Sequence, residues 1–295
     1  MKIDLLAIGE LLADMISHEY VNTLSEAKSF QMFQGGSPAN LCANVKWLGK
    51  NAQLVACVGN DSIGDFLVNE IEKIGIASNY ITRSNDYPSS VVLVGKSKGT
   101  PDFIAYRMAD TQIPPLSYDL LKGINIVHTS AFALSKNPAQ SNIIEALNYA
   151  KHKGAQVSVD WNFAKPIWGN DDGRSAFNYI CSMQPLLKMS LDDYQRFLGQ
   201  AHANSEDARN FLDFLRVPFV CLTCGADGVW YKFDEAWHFK AAKKVEEVKD
   251  TTGAGDAFWA AFLSAKLEGM NYHDCVNKAI EFASMKIQKT GPLYI

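Results

Sequence analysis

Asp250-Thr251-Thr252-Gly253-Ala254-Gly255-Asp256-Ala257-Phe258-Trp259 decides how this chain is read. The stretch lies between a strand-like run and an apolar helical run expected from Ala257 to Glu268. Gly253 and Gly255 flank Ala254, so the backbone N–H groups here carry no bulky side chains. Bare N–H groups at a helix N-terminus form an anion hole. A carboxylate at the same end, Asp256, can take a proton from a hydroxyl while those groups hold the charge of a transferring group. That suits phosphoryl transfer to an alcohol. Taken alone it equally suits a plain glycine turn from strand to helix, because short glycine motifs recur by chance.

On either side of it, strand and helix patterns alternate. Ile3–Gly9, Gln53–Gly59, Ile126–Ser130, Gln156–Trp161, Pro185–Ser190 and Val217–Thr223 read as strands. Helical patterns run over Ala39–Leu48, Ile63–Ile74, Ala139–His152, Arg174–Cys181, Leu191–Leu198, Ser205–Phe214 and Tyr272–Lys289. That rhythm predicts an α/β fold, a mainly parallel sheet with helices on both faces. Ligands then gather at the carboxyl ends of the strands. Between about Ile81 and Arg107 the texture changes to short strands. Ser90–Gly95 and Asp102–Arg107 read as a hairpin around Lys96-Ser-Lys-Gly-Thr100, an insertion able to form a lid.

Composition bounds the function. The 295 residues are 47% hydrophobic and 20% charged, with a net charge of −4, so no basic field points to nucleic acid. No stretch is apolar enough to span a membrane, and the first residues read as a strand without signal-peptide features; the expected location is the cytoplasm. Six scattered cysteines suit buried, reduced thiols. Cys221 and Cys224 form a C-x-x-C inside a strand-like run, whose alternation puts them on opposite faces and argues against a metal pair. No Walker motif, protein-kinase motif set, H-E-x-x-H or G-x-S-x-G occurs.

Several residues sit where such a fold places chemistry. Gly35 and Gly36 follow a strand and open a helix, so the backbone can approach a ligand. Asn40, one turn in, offers a donor and an acceptor to a hydroxyl-rich ligand. Asp14 follows the first strand and could grip sugar hydroxyls, or be an exposed turn residue. Arg107 ends the lid hairpin and could meet a polyol or an anion, or simply be solvated. Asp160 and Asn162 end a strand, with Lys165 beyond, and could serve phosphate or magnesium-bound water. Asp193 is a second candidate for that water shell, against an ordinary helix N-cap by Ser190. Thr223, Gly225 and Gly228 form a loop fit to pass under a nucleotide phosphate, or a simple turn.

Together these segments resemble the PfkB (ribokinase-like) sugar kinase family. G-E-L-L-A-D (Gly9–Asp14), G-G-S-P-A-N (Gly35–Asn40), V-G-N-D-S-I-G (Val58–Gly64), Y-R-M-A-D (Tyr106–Asp110), D-W-N (Asp160–Asn162), T-C-G-A-D-G (Thr223–Gly228) and D-T-T-G-A-G-D (Asp250–Asp256) stand in the family's order over the whole chain. The resemblance implies one Rossmann-type αβα domain over 1–295, with a small β-lid from about 12–34 and 86–108. It implies ATP as donor, Mg2+, and a sugar hydroxyl as acceptor. Asp256 would be the base, and Gly253, Ala254 and Gly255 the anion hole. Asp14, Gly35, Gly36, Asn40, Arg107 and Asp160 would hold the sugar. Lys188, Thr223, Gly225, Gly228 and Ser284 would line the nucleotide. Asp193 would act on the metal through water, and Asp250 with Thr252 match a stretch that binds a monovalent cation such as K+ in some members.

The chain departs from the pattern in places. Ser190-Leu-Asp-Asp193 replaces the family's N-x-x-E, and Ala164-Lys165 stands where an arginine is usual, which loses a planar bidentate fork. Tyr106–Asp110 and the G-G-S-P-A-N form resemble the fructokinase pattern, implying fructose converted to fructose 6-phosphate. A 2-keto-3-deoxygluconate kinase, another sugar or nucleoside kinase, and a silent sugar-binding regulator are the alternatives. Members often pair through their lids, so a homodimer is a further expectation.

Overall fold

A computed structural model describes residues 2–97 and 102–291. The first part of the chain gives β1 (Leu5–Ile8), β2 (Leu12–Tyr20), β3 (Phe30–Gly35), α1 (Ser37–Trp47), β4 (Ala52–Gly59), α2 (Ser62–Lys73), β5 (Ile81–Ser84), β6 (Val91–Lys96) and β7 (Phe103–Tyr106). The middle gives β8 (Ile126–Ser130), α3 (Ala139–His152), β9 (Gln156–Asp160), α4 (Lys165–Trp168), α5 (Arg174–Ser182), β10 (Leu186–Ser190), α6 (Leu191–Leu198) and α7 (Ser205–Asp213). The last part gives β11 (Phe219–Thr223), β12 (Val229–Phe233), β13 (Ala236–Lys240), α8 (Ala254–Leu267) and α9 (Tyr272–Lys286).

Nine of the described strands form one sheet in the order β13-β12-β11-β10-β9-β8-β1-β4-β5. Neighbours from β5 to β11 are parallel, and β12 and β13 close that edge antiparallel. Alternation along β1 shows why both faces are covered. Leu5 and Ala7 enter the core beneath α1, α2, α8 and α9, while Leu6 and Ile8 enter the core beneath α3, α5, α6 and α7. A strand buried on both sides reads as a continuous apolar run, as Leu5-Leu-Ala-Ile8 does. The αβα architecture read from the alternation is the one observed.

A second sheet, β3-β2-β6-β7, stands apart from the first. Strands β2 and β6 pair parallel at its centre and β3 and β7 pair antiparallel at its edges. Most of the turn expected at 96–100 lies outside the described residues.

Two helix starts differ from expectation in ways that matter, and one strand end bears on the cysteines. Helix α8 begins at Ala254, three residues early, because Gly253 at φ 72° caps it directly. Asp256 therefore sits within the first helical turn. Helix α1 begins at Ser37, capped by Gly36 at φ 103°. Strand β11 stops at Thr223, so Cys224 lies beyond it; both thiols are free and burial pushes both above the ordinary thiol value. Helix α8 is apolar all round and buried from Ala257 to Ala265, which suits a helix within the core. Each of its large side chains, Phe258, Trp259, Phe262 and Leu263, contributes about 1.5–3 kcal/mol by burial. That packing fixes where its N-terminus points.

Candidate active site

Helices α1 and α8 pack side by side and bring their N-termini to one point. Asp256 is half-buried there. Its Oδ1 accepts from Ser37 Oγ at 2.7 Å and its Oδ2 from Asn40 Nδ2 at 3.0 Å. Asn40 is held in turn, since its Oδ1 accepts from Gln34 Nε2 at 3.1 Å. Ser37 is anchored through its backbone N–H, which donates to Glu10 Oε1 at 3.0 Å, and Glu10 Oε2 accepts from Ser130 Oγ at 2.8 Å. Asp256 is thus gripped by two side chains, each fixed from behind. Burial and the neighbouring Asp160 push Asp256 up to about 6, while Ser37, Asn40 and Lys188 restrain the rise. A carboxyl that ionises just below neutrality is suited to general-base work. Burial also drives Glu10 up to about 8.

Beneath Asp256, Lys188 Nζ donates to Asp160 Oδ2 at 2.7 Å, both side chains being buried. The same ammonium lies against Gly255, where a Cβ would come within 3.2 Å of it. Burial pulls Lys188 down, but Asp160, Asp193 and Asp256 together hold it above the ordinary lysine value. Asp160 Oδ1 is buried with no hydrogen-bond partner among the described residues. A cleft of about 420 Å³ opens over this group, lined by Asp160, Lys188, Asp193, Thr223, Gly225 and Gly255 among others. One wall carries the N-terminus of α8, where Gly253 and Gly255 line the cleft while the Ala254 N–H donates to Thr251 O at 3.1 Å, so the cleft offers an anion both a helix N-terminus and a fixed cation.

On the lid side, Asp14 projects from β2 onto Gly35. A Cβ at Gly35 would stand 2.2 Å from Asp14 Oδ2, and one at Gly36 would stand 2.2 Å from the Glu10 carbonyl. Close approach to backbone and a positive φ require glycine at Gly36, whereas a methyl at Gly35 would displace the Asp14 carboxylate. Asp14 has no hydrogen-bond partner among the described residues, and burial, then the charge of Asp256, push it up to about 7. Alternation places Ile16, His18, Gln31 and Phe33 on the same lid face as Asp14. These residues line a second cavity of about 390 Å³ with Lys96 on the lid and Lys249–Thr252 on the main domain.

Other expected residues are placed differently. The Arg107 guanidinium is neither solvated nor free: it pairs with Asp110, donates to Phe132 O at 3.0 Å and Ser135 Oγ at 2.6 Å, and stacks on the Phe132 ring. Asp193 forms a capping box with Ser190, whose hydroxyl donates to Asp193 Oδ2 at 2.5 Å, so the helix-cap reading of that residue holds structurally. Burial still pushes Asp193 up to about 6. Lys165 donates to Asp171 O at 3.3 Å. Gly228 packs at φ 126° against the Lys240 carbonyl, outside the cleft wall. Ser284 is buried in α9 and donates to Glu281 O within its own helix. Sequence reasoning missed Ser37 and Glu10; Ser37 lies inside a quoted motif, and an acidic residue at the end of the first strand was the available signal for Glu10.

The magnesium and potassium expectations meet different donor sets. Among the described residues no three His, Cys, Asp or Glu side chains are grouped to hold a metal directly. Mg2+ is well served by one or two carboxylates plus substrate phosphates, and Asp160 with its unpartnered oxygen fits that role. The Asp250 and Thr252 stretch does not fit a free cation. Both Asp250 carboxylate oxygens accept backbone N–H groups, from Thr252 at 2.8 Å and Gly291 at 2.9 Å, and the Lys286 ammonium donates to the Asp250 carbonyl at 3.1 Å.

A carboxylate held at a helix N-terminus, beside a cleft that suits an anion and opposite a second carboxylate on the small sheet, is an arrangement able to move an anionic group onto a hydroxyl. The chain matches the model of the pfkB family carbohydrate kinases over residues 2–294, and it belongs to that family. It is 35% identical to an ATP-dependent 6-phosphofructokinase of Thermoanaerobacterium thermosaccharolyticum, the alignment covering 99% of this chain and 90% of that protein. The solved fructokinase of Halothermothrix orenii superposes with a TM-score of 0.85 at 32% identity, covering 95% of this chain and 98% of that one. An uncharacterized sugar kinase of Pyrococcus horikoshii, solved in complex with ATP, superposes with a TM-score of 0.83 at 25% identity over 98% of this chain and 94% of that one. No helix among the described residues is long and apolar enough to cross a membrane.

Proposed function

We propose that this ATP-dependent carbohydrate kinase phosphorylates fructose on its 6-hydroxyl. The observation that carries the reading is Asp256, fixed by Ser37 and Asn40 between the anion cleft and the lid-borne Asp14. In the step, an Asp256 oxygen accepts the hydroxyl proton as the sugar oxygen bonds to the γ-phosphorus. The bond from that phosphorus to the β–γ bridging oxygen breaks, and ADP leaves. The N–H groups of Gly253 and Gly255 and the Lys188 ammonium stabilise the charge spread over the moving phosphoryl oxygens. Asp160, or Asp193 through water, would hold Mg2+, which would supply further charge neutralisation. Thr223 and Gly225 lie along the nucleotide. Asp14, Gly35, Gly36 and Asn40 hold the sugar.

A second acceptor, fructose 6-phosphate, is favoured by one observation. The lid-side cavity is lined by His18, Lys96 and Lys249, cationic or titratable groups suited to a sugar phosphate. The Thermoanaerobacterium relative is described as a 6-phosphofructokinase. ADP release with ATP and Mg2+ on fructose, fructose 6-phosphate, ribose and 2-keto-3-deoxygluconate ranks the acceptors by kcat/KM. Fructose is expected first; a higher value for fructose 6-phosphate transfers the assignment to that sugar. Asp256→Asn is expected to lower kcat by about 10²–10⁴-fold while sugar binding survives. Wild-type turnover in that variant overturns the mechanism.

We further propose a homodimer built on the lid sheet. Register places Met15, Leu93 and Ile104 in a row on the face opposite Asp14. Ile104 and Tyr106 are 46% and 54% exposed there, an apolar surface that a second copy would cover.

A further inference from the structure

Lys286 belongs to the last turn of α9 and is fully buried, and its ammonium rests on the carbonyl of the first residue of the catalytic loop. A buried ammonium costs several kcal/mol unless its surroundings repay it. Burial holds Lys286 below the ordinary lysine value, and the charges of Asp250 and Asp256 offset part of that lowering. The loop is also stitched to the same end of α9. Lys249 and Asp250 N–H groups donate to Ile287 O at 2.9 and 3.2 Å, and Gly291 N–H donates to the Asp250 carboxylate. The positive charge therefore stands directly behind the segment that carries the anion hole and the base, at the place where the family resemblance would put a monovalent cation.

We propose that the Lys286 ammonium is a built-in counter-cation for the Asp250–Asp256 loop, replacing a dissociable potassium ion, so that this kinase turns over without one. An ion from solution has to be captured at each site, whereas a tethered ammonium is present at a high effective concentration at all times. Lys286 lines neither of the two cavities. It is a positioning residue, holding the Asp250 carbonyl and thereby the loop.

The test compares choline chloride with potassium chloride at equal ionic strength, using ADP release from ATP and Mg2+ with fructose, and thermal melting of the full chain. Wild type is expected to show the same rate and the same Tm in both salts. Lys286→Ala, which vacates the site, should lose about tenfold or more in kcat in choline and regain much of it, together with Tm, in potassium. Lys286→Met, which fills the site without charge, should lose rate and regain nothing. Potassium activation of the wild type by about tenfold or more overturns the proposal. So does a Lys286→Ala enzyme with wild-type rate and Tm in choline, or one whose losses potassium leaves unchanged in both readouts. If Lys286→Ala does not fold, the wild-type salt comparison decides alone. The turnover arm rests on the fructose reading; the melting arm needs no sugar, so failure of the acceptor assignment and failure of this one are told apart.

Discussion

Removing the Ser37 hydroxyl should move the pH at which the kinase switches off. Ser37 Oγ donates to Asp256 Oδ1 at 2.7 Å, and this bond opposes the upward push from burial and from Asp160 that sets Asp256 at about 6. A hydrogen bond to a charged group contributes about 1.5–3 kcal/mol. At about 1.36 kcal/mol per pH unit, its loss raises the pH of half-ionisation by roughly one to two. Asn40 and Lys188 remain, so the lower end is expected, near neutrality. The sign follows from the base having to be ionised: activity present above that pH is lost as pH falls through it. In Ser37→Ala the acid limb of kcat/KM for fructose should therefore shift upward by about one pH unit, costing about tenfold well below the limb. On the alkaline plateau the two enzymes should nearly coincide. The assay is the full pH profile, not one rate. An unmoved limb, or an equal loss at every pH, would falsify the electrostatic role and leave Ser37 a packing residue.

Two further outcomes follow from the geometry. Gly35→Ala should raise KM for the sugar with a smaller change in kcat, because the new methyl displaces the Asp14 carboxylate and leaves Asp256 in place; steady-state kinetics on a folded variant checks the split, and an unchanged KM would count against Asp14 as a sugar ligand. Ile104→Glu should yield monomers by analytical ultracentrifugation if two lids pair through the face that exposes Ile104 and Tyr106; a wild type that sediments as a monomer removes the lid dimer altogether.

The parts of this molecule legible in the sequence were those whose chemistry is local. The bare loop and its carboxylate fall within seven successive residues, Asp250–Asp256, so reading them needs no knowledge of the fold. The strand–helix rhythm gave the layers because burial on both faces leaves unbroken apolar strands. What holds Asp256 was not legible, since Ser37 and Asn40 reach it across more than two hundred residues, |i−j| being 219 and 216. Nor could a pattern tell Lys286 from the solvated lysines of an amphipathic helix; only the fold shows that it is buried. Arg107 was open to a better local reading, because Asp110 stands three residues away, close enough to claim the guanidinium before any ligand does.

The separate four-stranded sheet has a consequence for how new activities could arise on this scaffold. Its positions Ile16, Gln31, Phe33 and Val94 line the lid-side cavity, while the Gly253–Gly255 segment, Lys188 and Asp256 hang on the other sheet and its helices. Variation in the first set leaves the second untouched. A combinatorial library confined to those lid positions would explore acceptor choice with the transfer machinery held constant. Selections for growth on unfamiliar sugars should enrich changes there well before any appear between Gly253 and Asp256.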